Sequence, residues 1–269
     1  MNTSYPIVLS HGIFPFDRLF SPFASRDNHP DDRLHYFRKI RSTLMEKGYT
    51  VFHSRVCWGG PLELRALDLK MNLLRFTDDF KKWPKVHIIA HSMGGLDARW
   101  MIYRFRMEEK IASVTTIGTP HLGSPYARWS LERLNRLVDL SFLLGLDLRG
   151  ARDLTPDACE ERNRLTADFE AHNKVVYRTI AGAQPLERIF KPLTSSWKII
   201  HALDGENDGL VSVRSATWKE EYLFKVMDAD HLNQIGWWDS NENITGISRE
   251  AFEADIRSHY LEIADGLKD

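Results

Sequence analysis

Short apolar runs alternate along this chain with longer stretches in which apolar residues recur every three or four positions. The runs at 6–10, 86–90 and 111–118 are brief, rich in β-branched residues and followed by turn residues, which is typical of buried strands. Similar runs predict further strands at 49–56, 174–182, 197–202 and 222–227.

Helical periodicity is clearest after Pro61, a residue that suits the first turn of a helix. The apolar positions there are separated alternately by four and three residues: Leu62, Ala66, Leu69, Leu73, Phe76 and Phe80. Further helices are predicted from Asp32 (Leu34, Phe37, Ile40 and Leu44 on one face), from Ser92 to about Phe105, from near Pro156, and from Ser248. Strands that alternate with helices predict a single α/β domain over residues 1–269, with a mostly parallel sheet covered on both faces.

Composition and charge narrow the range of functions. Lys and Arg total 36 against 37 Asp and Glu, with no dense basic run, so a nucleic-acid partner is not expected. No window approaches the roughly 18 consecutive apolar residues of a membrane-spanning helix. The first residues carry neither a basic region nor a cleavage site, so the chain is expected in the cytoplasm, or outside the cell if a signal peptide has been removed. Cys57 and Cys159 are expected to be two buried thiols, although one bridge is conceivable.

The segment VHIIAHSMGGLDAR, residues 86–99, places Ser92 between a predicted strand and a predicted helix. A nucleophilic serine on a tight strand-to-helix turn needs this context, with small residues two positions before and after it, here Ala90 and Gly94. The helix N-terminus would also direct free backbone N–H groups at the reaction centre. The alternative is that Ser92 only caps the helix, and the motif alone does not decide between the two.

A serine hydroxyl needs a base to take its proton, and the base needs a third group that holds its tautomer. For a serine on such a turn the chain order is serine, acid, histidine, which directs attention to late histidines. His231 lies four residues beyond the predicted strand 222–227, whereas His259 lies within the last predicted helix. His231 is therefore the candidate base.

The candidate acid lies in the segment HALDGENDGLVSV, which follows the predicted strand at 197–202. Asp208 is favoured and Asp204 is the fallback, while Glu206 completes a cluster that turn formation alone would also explain. Asp230 is adjacent to the histidine in the chain, so it cannot easily brace the imidazole ring.

Two backbone amides are expected to stabilise the developing oxyanion. One belongs to Met93, just after the serine, and the other to Ile13, in the loop SHGIFPF after the first strand. The loss of one such donor typically costs about 3 kcal/mol of transition-state stabilisation. His11 is expected to brace this loop rather than to catalyse.

Five segments resemble, in the same order, those of the bacterial true lipases of the Pseudomonas, Burkholderia and Proteus type, which are α/β-hydrolases. They are YPIVLSHGIFPFDR (5–18), VHIIAHSMGGLDAR (86–99), VTTIGTPHLGS (114–124), ENDGLVSVRSA (206–216) and DHLNQIGW (230–237). The resemblance implies an α/β-hydrolase fold and a lipase-like carboxylic ester hydrolase that needs no cofactor. It assigns the triad to Ser92, Asp208 and His231. It assigns the oxyanion donors to Ile13 and Met93.

One difference from this family concerns a metal. Many of these lipases bind a structural calcium ion through an aspartate two residues after the catalytic histidine. Here that position is Asn233, and no Asp occurs between residues 169 and 203. Since calcium prefers several carboxylate oxygens, the calcium site is predicted to be absent. The disulfide of the secreted members likewise has no obvious counterpart in Cys57 and Cys159.

Residues 125–155 are predicted to form a lid or cap, because in this fold such an insertion usually covers the active site. Its residues 140–148 are apolar nearly all round. Such a cap would present apolar surface to an acyl chain and could open at a lipid interface, whereas a plain buried helix pair is the alternative. The candidate substrate-binding residues are Phe14, Phe16, Trp237 and Leu144, with Trp129 and Trp238 as further apolar side chains.

An acyl ester or lipid is therefore the expected substrate. The alternatives on the same triad are a short-chain esterase, a thioesterase and an acyltransferase. A non-catalytic relative of the fold is a further alternative, although such relatives usually lose a triad residue. Acyl chain length and oligomeric state are left open by the sequence.

Overall fold

The computed structural model describes residues 3–13, 28–133 and 149–269. Its sheet has six parallel strands in the order β2-β1-β3-β4-β5-β6. The strands are β1 (Ile7–Ser10), β2 (Val51–His53), β3 (Val86–His91), β4 (Ile111–Ile117), β5 (Val176–Gly182) and β6 (Leu223–Met227).

Helices connect these strands and cover both faces of the sheet. They are α1 (Ile40–Glu46), α2 (Leu62–Thr77), α3 (Met93–Phe105), α4 (Pro156–His172), α5 (Thr194–Asp204), α6 (Val213–Thr217) and α7 (Arg249–Asp265). Residues 125–133 are also helical. The predicted α/β-hydrolase fold, with a mostly parallel sheet between helices, is confirmed.

The sheet separates two apolar cores. Residues of α1 and α7, such as Ile40, Leu44 and Ile256, pack on one face. The buried side of α2, including Leu69 and Leu73, packs with α3 on the other face. The apolar face that the sequence periodicity predicts for α2 is therefore the face that the fold buries. Burial of this apolar surface stabilises the helix against the sheet.

The register of the strands brings several loops to one edge of the sheet. Ser10 of β1 pairs with Ala90 of β3, and His91 of β3 pairs with Ile117 of β4. Because all strands run in the same direction, the loops after β1, β3 and β4 leave side by side at their carboxyl ends. Ligands bind at this edge in open parallel sheets.

Two predicted elements are wrong. Residues 197–202 lie within helix α5 and not in a strand; Ser196 and Ile200, four apart, face inward, while Leu203 is 67 % exposed. A short apolar run is compatible with either element, and this one has helical spacing. The helix predicted from Asp32 begins only at Ile40, after Lys39 with a φ of 56°, and Leu34 is 50 % exposed.

Both cysteines are free thiols. Cys159 is buried as expected, and burial raises the pKa of its thiol. Cys57 is only half-buried, so the expectation of two buried thiols is wrong for it.

The predicted lid lies partly outside the described residues. Its described parts are the helical residues 125–133 and the 3-10 helix Arg149–Leu154. Residues 134–148, including Leu144, are not among those described, so the lid and its extent remain a prediction. None of the described helices is both long and apolar enough to cross a bilayer.

Candidate active site

Ser92 lies on the turn between β3 and α3, at the carboxyl edge of the sheet. Its φ of 57° and ψ of −133° are strained for any residue except glycine. The amide of Ser92 donates to the carbonyl of Ile117 at 2.9 Å, and its carbonyl accepts from Thr119 Oγ1 at 2.7 Å. These bonds to the end of β4 hold the backbone in a conformation that it would otherwise leave.

Glycines allow the neighbouring backbone to come close to this turn. A Cβ atom at Gly94 would lie 2.5 Å from the carbonyl oxygen of His11. A Cβ atom at Gly12 would lie 2.6 Å from Cβ of Ser92. The loop after β1 therefore lies directly against the serine, and neither glycine tolerates a side chain without movement of the backbone.

Asp208 and His231 converge on Ser92 from two other loops. His231 Nε2 lies 2.9 Å from Ser92 Oγ, and His231 Nδ1 lies 2.8 Å from Asp208 Oδ2. All three residues are at most 5 % exposed. The structure thus brings together the three residues that the sequence singled out, in the order of hydroxyl, imidazole and carboxylate that proton transfer requires.

Asp208 is fixed by its own turn. Its Oδ1 accepts hydrogen bonds from the backbone amides of Leu210 at 2.9 Å and Val211 at 2.7 Å. Asp204, the fallback acid, instead accepts a bond from Ser212 Oγ at 3.0 Å, so it is not brought to the histidine. Contrary to expectation, the acid follows helix α5 rather than a strand.

His91, immediately before the serine, packs against the ring of His231 with 4.5 Å between the ring centroids. Burial, and secondarily the charge that His231 can carry, hold the pKa of His91 well below its ordinary value of 6.5. His91 is therefore neutral at neutral pH, and no second cation opposes the formation of an imidazolium at His231.

Tyr36 joins His91 to the loop after β1. The amide of Gly12 donates to Tyr36 Oη at 3.1 Å, and Tyr36 Oη lies 2.7 Å from His91 Nδ1. Because the hydroxyl accepts the amide proton, its own hydrogen can point to the ring nitrogen. This chain of bonds fixes the loop that carries Ile13.

The two candidate oxyanion donors flank the serine. Met93 is the first residue of α3, so its amide has no carbonyl of its own helix to bond. Ile13 follows Gly12, whose backbone contacts Ser92. Both residues therefore lie next to the turn that carries Ser92, where the oxyanion donors are predicted. Their role as donors stays a prediction.

The candidate substrate-binding residues are only partly described. Trp237 is half-buried against the core, and its Nε1 donates to the carbonyl of Tyr36 at 3.0 Å. Phe14, Phe16 and Leu144 lie outside the described residues. A role in substrate binding thus stays a prediction for all four.

A cavity of about 890 Å³ opens near the helical residues 125–133. Its lining includes Leu122, Pro125, Trp129 and Leu203, together with Arg128, whose guanidinium group makes the lining mixed in polarity.

Asn233 shows what occupies the family's calcium-ligand position here. It is fully buried, its Oδ1 accepts from the amide of Asp230 at 3.3 Å, and its Nδ2 donates to the carbonyl of Trp237 at 2.8 Å. The amide is oriented by bonds within the loop, and a carboxylate could not make the second one. These residues do not suit a calcium ion.

The sequence analysis missed Gln234, Tyr36 and the tethering role of Asp230. Gln234 Nε2 donates to Asp208 Oδ2 at 2.8 Å, and the Asp230 carboxylate accepts three backbone amides. Gln234 could have been noticed, since it follows the candidate histidine by three residues and one turn brings such positions together. His91, the hydrogen-bond partner of Tyr36, is 55 residues away along the chain, and no local sequence pattern predicts this contact.

Comparisons with known proteins agree on one family. The model of the PGAP1-like alpha/beta domain matches residues 67–154. A triacylglycerol lipase of Vibrio cholerae is 34 % identical over 99 % of this chain and 88 % of its own length. The chain belongs to the bacterial lipases of the α/β-hydrolase type. Triacylglycerol lipase 2 of Saccharomyces cerevisiae is 29 % identical to this lipase over 97 % of the chain and 90 % of its own length.

Solved structures share the fold of this lipase. A metagenomic carboxyl esterase has a TM-score of 0.71 at 17 % identity and covers 98 % of the chain and 77 % of its own length. A lipase from Staphylococcus hyicus has a TM-score of 0.65 at 17 % identity, over 98 % of the chain and 97 % of its own length. The resemblance inferred from the five motifs is confirmed, and the protein is a lipase-like ester hydrolase of the serine hydrolase type.

Proposed function

We propose that this lipase hydrolyses acyl esters with long apolar chains, triacylglycerols among them, through a triad of Ser92, His231 and Asp208. The proposal rests on two consecutive hydrogen bonds. Ser92 Oγ lies 2.9 Å from His231 Nε2, and His231 Nδ1 lies 2.8 Å from Asp208 Oδ2. Relatives that are named triacylglycerol lipase support the choice of substrate class.

The reaction begins when Ser92 Oγ attacks the ester carbonyl carbon. The hydroxyl proton passes to His231 Nε2, and the negative charge that forms on the carbonyl oxygen is stabilised by the amides of Met93 and Ile13. Asp208 stabilises the imidazolium. His231 then returns the proton to the departing alkoxide, and the C–O bond to the alcohol breaks, which leaves an acyl group on Ser92.

Water completes the cycle. His231 takes a proton from the water molecule, the hydroxide attacks the acyl carbon, and the proton is returned to Ser92 Oγ as the fatty acid leaves. No step needs a metal or an organic cofactor, so we propose that the protein has neither.

Ester turnover by Ser92→Ala tests the mechanism. We expect kcat to fall by about 10⁶-fold, since removal of a triad nucleophile has this effect in serine hydrolases. Ser113→Ala is the matched control: Ser113 is also buried, bonds His87 at 2.8 Å in the amino-terminal half of β4, and is expected to leave kcat unchanged. A fluorophosphonate probe should label wild type and Ser113→Ala but not Ser92→Ala, and turnover that persists in Ser92→Ala would end the proposal.

A series of nitrophenyl esters from acetate to palmitate tests the substrate class. We expect kcat/KM to rise with chain length, because each buried methylene group contributes about 0.8 kcal/mol. Activity confined to acetate and butyrate would instead identify a short-chain esterase on the same triad.

A further inference from the structure

Gln234 is a fully buried side chain that bonds the carboxylate of Asp208. Its Nε2 donates to Asp208 Oδ2 at 2.8 Å, the same oxygen that receives His231 Nδ1 at 2.8 Å. Together with the two backbone amides on Oδ1, the carboxylate has four donors. Burying a carboxylate is costly unless its oxygens accept hydrogen bonds, and Gln234 supplies one of the four that stabilise Asp208.

The ends of two strands leave room for this amide. A Cβ atom at Gly118, just after β4, would collide with Gln234 Oε1, and one at Gly182, the last residue of β5, would collide with Gln234 Nε2. Gly118 also has a φ of +54°, which disfavours a side chain on its own account. The amide thus occupies a socket that two glycines make.

The backbone of Gln234 is fixed as well. Its amide donates to the carbonyl of Asp230 at 3.0 Å, and its carbonyl accepts from Tyr260 Oη of α7 at 2.9 Å. With main chain and side chain both held, the Nε2 donor has one direction, and that direction is Asp208 Oδ2.

We propose that Gln234 is a positioning residue of this lipase, which holds Asp208 Oδ2 against His231 and sets how strongly that oxygen attracts the imidazole proton. The proposal rests on the triad proposed above. Gln234 makes its contact through Asp208 and does not touch the reacting atoms. The Nε2–H group of Gln234 interacts with part of the negative charge on Asp208 Oδ2. Without this hydrogen bond, more of that charge acts on His231.

Gln234→Met tests this role, since methionine has the same length and no donor. With the charge of Oδ2 shared by fewer donors, the attraction between this oxygen and the His231 imidazolium is stronger. We expect the acid limb of kcat/KM against pH to move upward by about half a unit or more, because hydrogen bonds to a charged group shift pKa values on this scale. We also expect kcat to fall about tenfold with KM nearly unchanged, because Asp208 Oδ2 is no longer held in place against the His231 ring in the transition state.

Gln184→Met is the matched control. Gln184 is 5 % exposed and its Nε2 donates to the carbonyl of Asp228 at 3.2 Å, so the same substitution is made at a buried glutamine without a bond to the triad. It should keep the wild-type acid limb. If Gln234→Met keeps it too, or if both variants move it equally, Gln234 is not a positioning residue.

Proton NMR of the resting protein gives a second readout that needs no ester and does not depend on a variant folding. In the wild type, the proton on His231 Nδ1 should show a nuclear Overhauser contact with the carboxamide protons of Gln234, because both donors converge on one oxygen. Absence of this contact would overturn the proposal even if ester turnover depends on Ser92. Its presence together with full turnover in Ser92→Ala would support Gln234 while the proposed catalytic mechanism fails.

Discussion

Asp230 adjoins His231 in the chain, yet its carboxylate bonds backbone amides and not the imidazole. It accepts from Phe190 at 2.9 Å, from Leu232 at 2.9 Å and from Asn233 at 2.8 Å. The first of these belongs to the loop after β5 and the other two to the histidine loop, so one side chain ties two loops together. Burial nevertheless raises the pKa of Asp230 to about 7, although the three amides oppose this.

Because of this raised pKa, the free energy of unfolding should depend on pH, and Asp230→Asn should remove this part of the dependence. The Asp230 carboxyl group has the ordinary pKa of 3.8 in the unfolded chain and a pKa of about 7 in the folded protein. Between these values the folded state binds more protons, so the contribution of Asp230 to the free energy of unfolding falls as pH rises. We expect that free energy, measured by urea denaturation from about pH 4.5 to about pH 7.5, to decline more in wild type than in Asp230→Asn.

Asp228→Asn is the control for this measurement. Asp228 is two residues away and has a side chain that is 69 % exposed in its ion pair with Arg188, so its replacement should leave the slope as in wild type. A slope in Asp230→Asn that equals that of wild type would show that this carboxyl does not titrate in the window.

Residue types and spacing singled out Ser92, Asp208 and His231, and the structure joins these three side chains by hydrogen bonds. Tyr36 carries no local signature, because its hydrogen-bond partner is 55 residues away along the chain. Gln234 stands within the histidine segment, yet its bond to Asp208 spans 26 residues, and only the fold brings the two together. The role of a buried polar side chain becomes clear only when its partner is known.

At the scale of elements, α3 and α4 are joined by a buried ion pair. Arg99 of α3 donates to both oxygens of Glu170 of α4, at 2.7 and 2.9 Å, and the two side chains are 1 % and 2 % exposed. The guanidinium carbon also lies 3.6 Å from the centre of the Trp218 ring. This cluster holds α3, which begins directly after Ser92, against α4, the helix that follows the predicted lid.

Glu170→Gln should therefore destabilise the protein strongly. It leaves the charge of Arg99 buried without its counter-ion, which costs about 3–5 kcal/mol in the free energy of unfolding. Glu161→Gln is the matched control on the same helix, because its pair with Arg164 has side chains that are 56 % and 70 % exposed, and solvent screens such a pair so that its loss changes stability little. Equal losses in urea denaturation of the two variants would contradict the difference that burial makes.

Most strands of the sheet were predictable because buried parallel strands are short, apolar and β-branched, and β1, β3, β4 and β5 follow that rule. The same rule misplaced residues 197–202, where a short apolar run belongs to α5. Periodicity also predicted that a helix begins at Asp32, whereas α1 begins at Ile40. The Asp32 carboxylate instead accepts a hydrogen bond from the amide of Ser42 at 2.9 Å, and periodicity does not reveal such a bond.

For the molecule as a whole, the question of a metal can be tested directly. Asn233 uses both ends of its amide within the histidine loop, and Asp230 ties that loop to the chain after β5. We propose that these side-chain bonds hold the histidine loop without a structural ion. We expect the melting temperature and ester turnover to be the same with calcium chloride and with EDTA.

A conventional calcium-dependent lipase measured in parallel supplies the positive control for chelation. A fall in the melting temperature of this protein in EDTA, restored by calcium, would mean that the loop binds an ion despite Asn233.

The parallel strands also separate two ends of the molecule. The amide of Ser4 donates to Asp269 Oδ1 at 2.9 Å, so these two residues meet just before β1, whereas Ser92 lies where β3 finishes. A bead or surface coupled near Ser4 or Asp269 would therefore hold every molecule in one orientation, with the edge of the sheet that carries Ser92 facing an oil droplet.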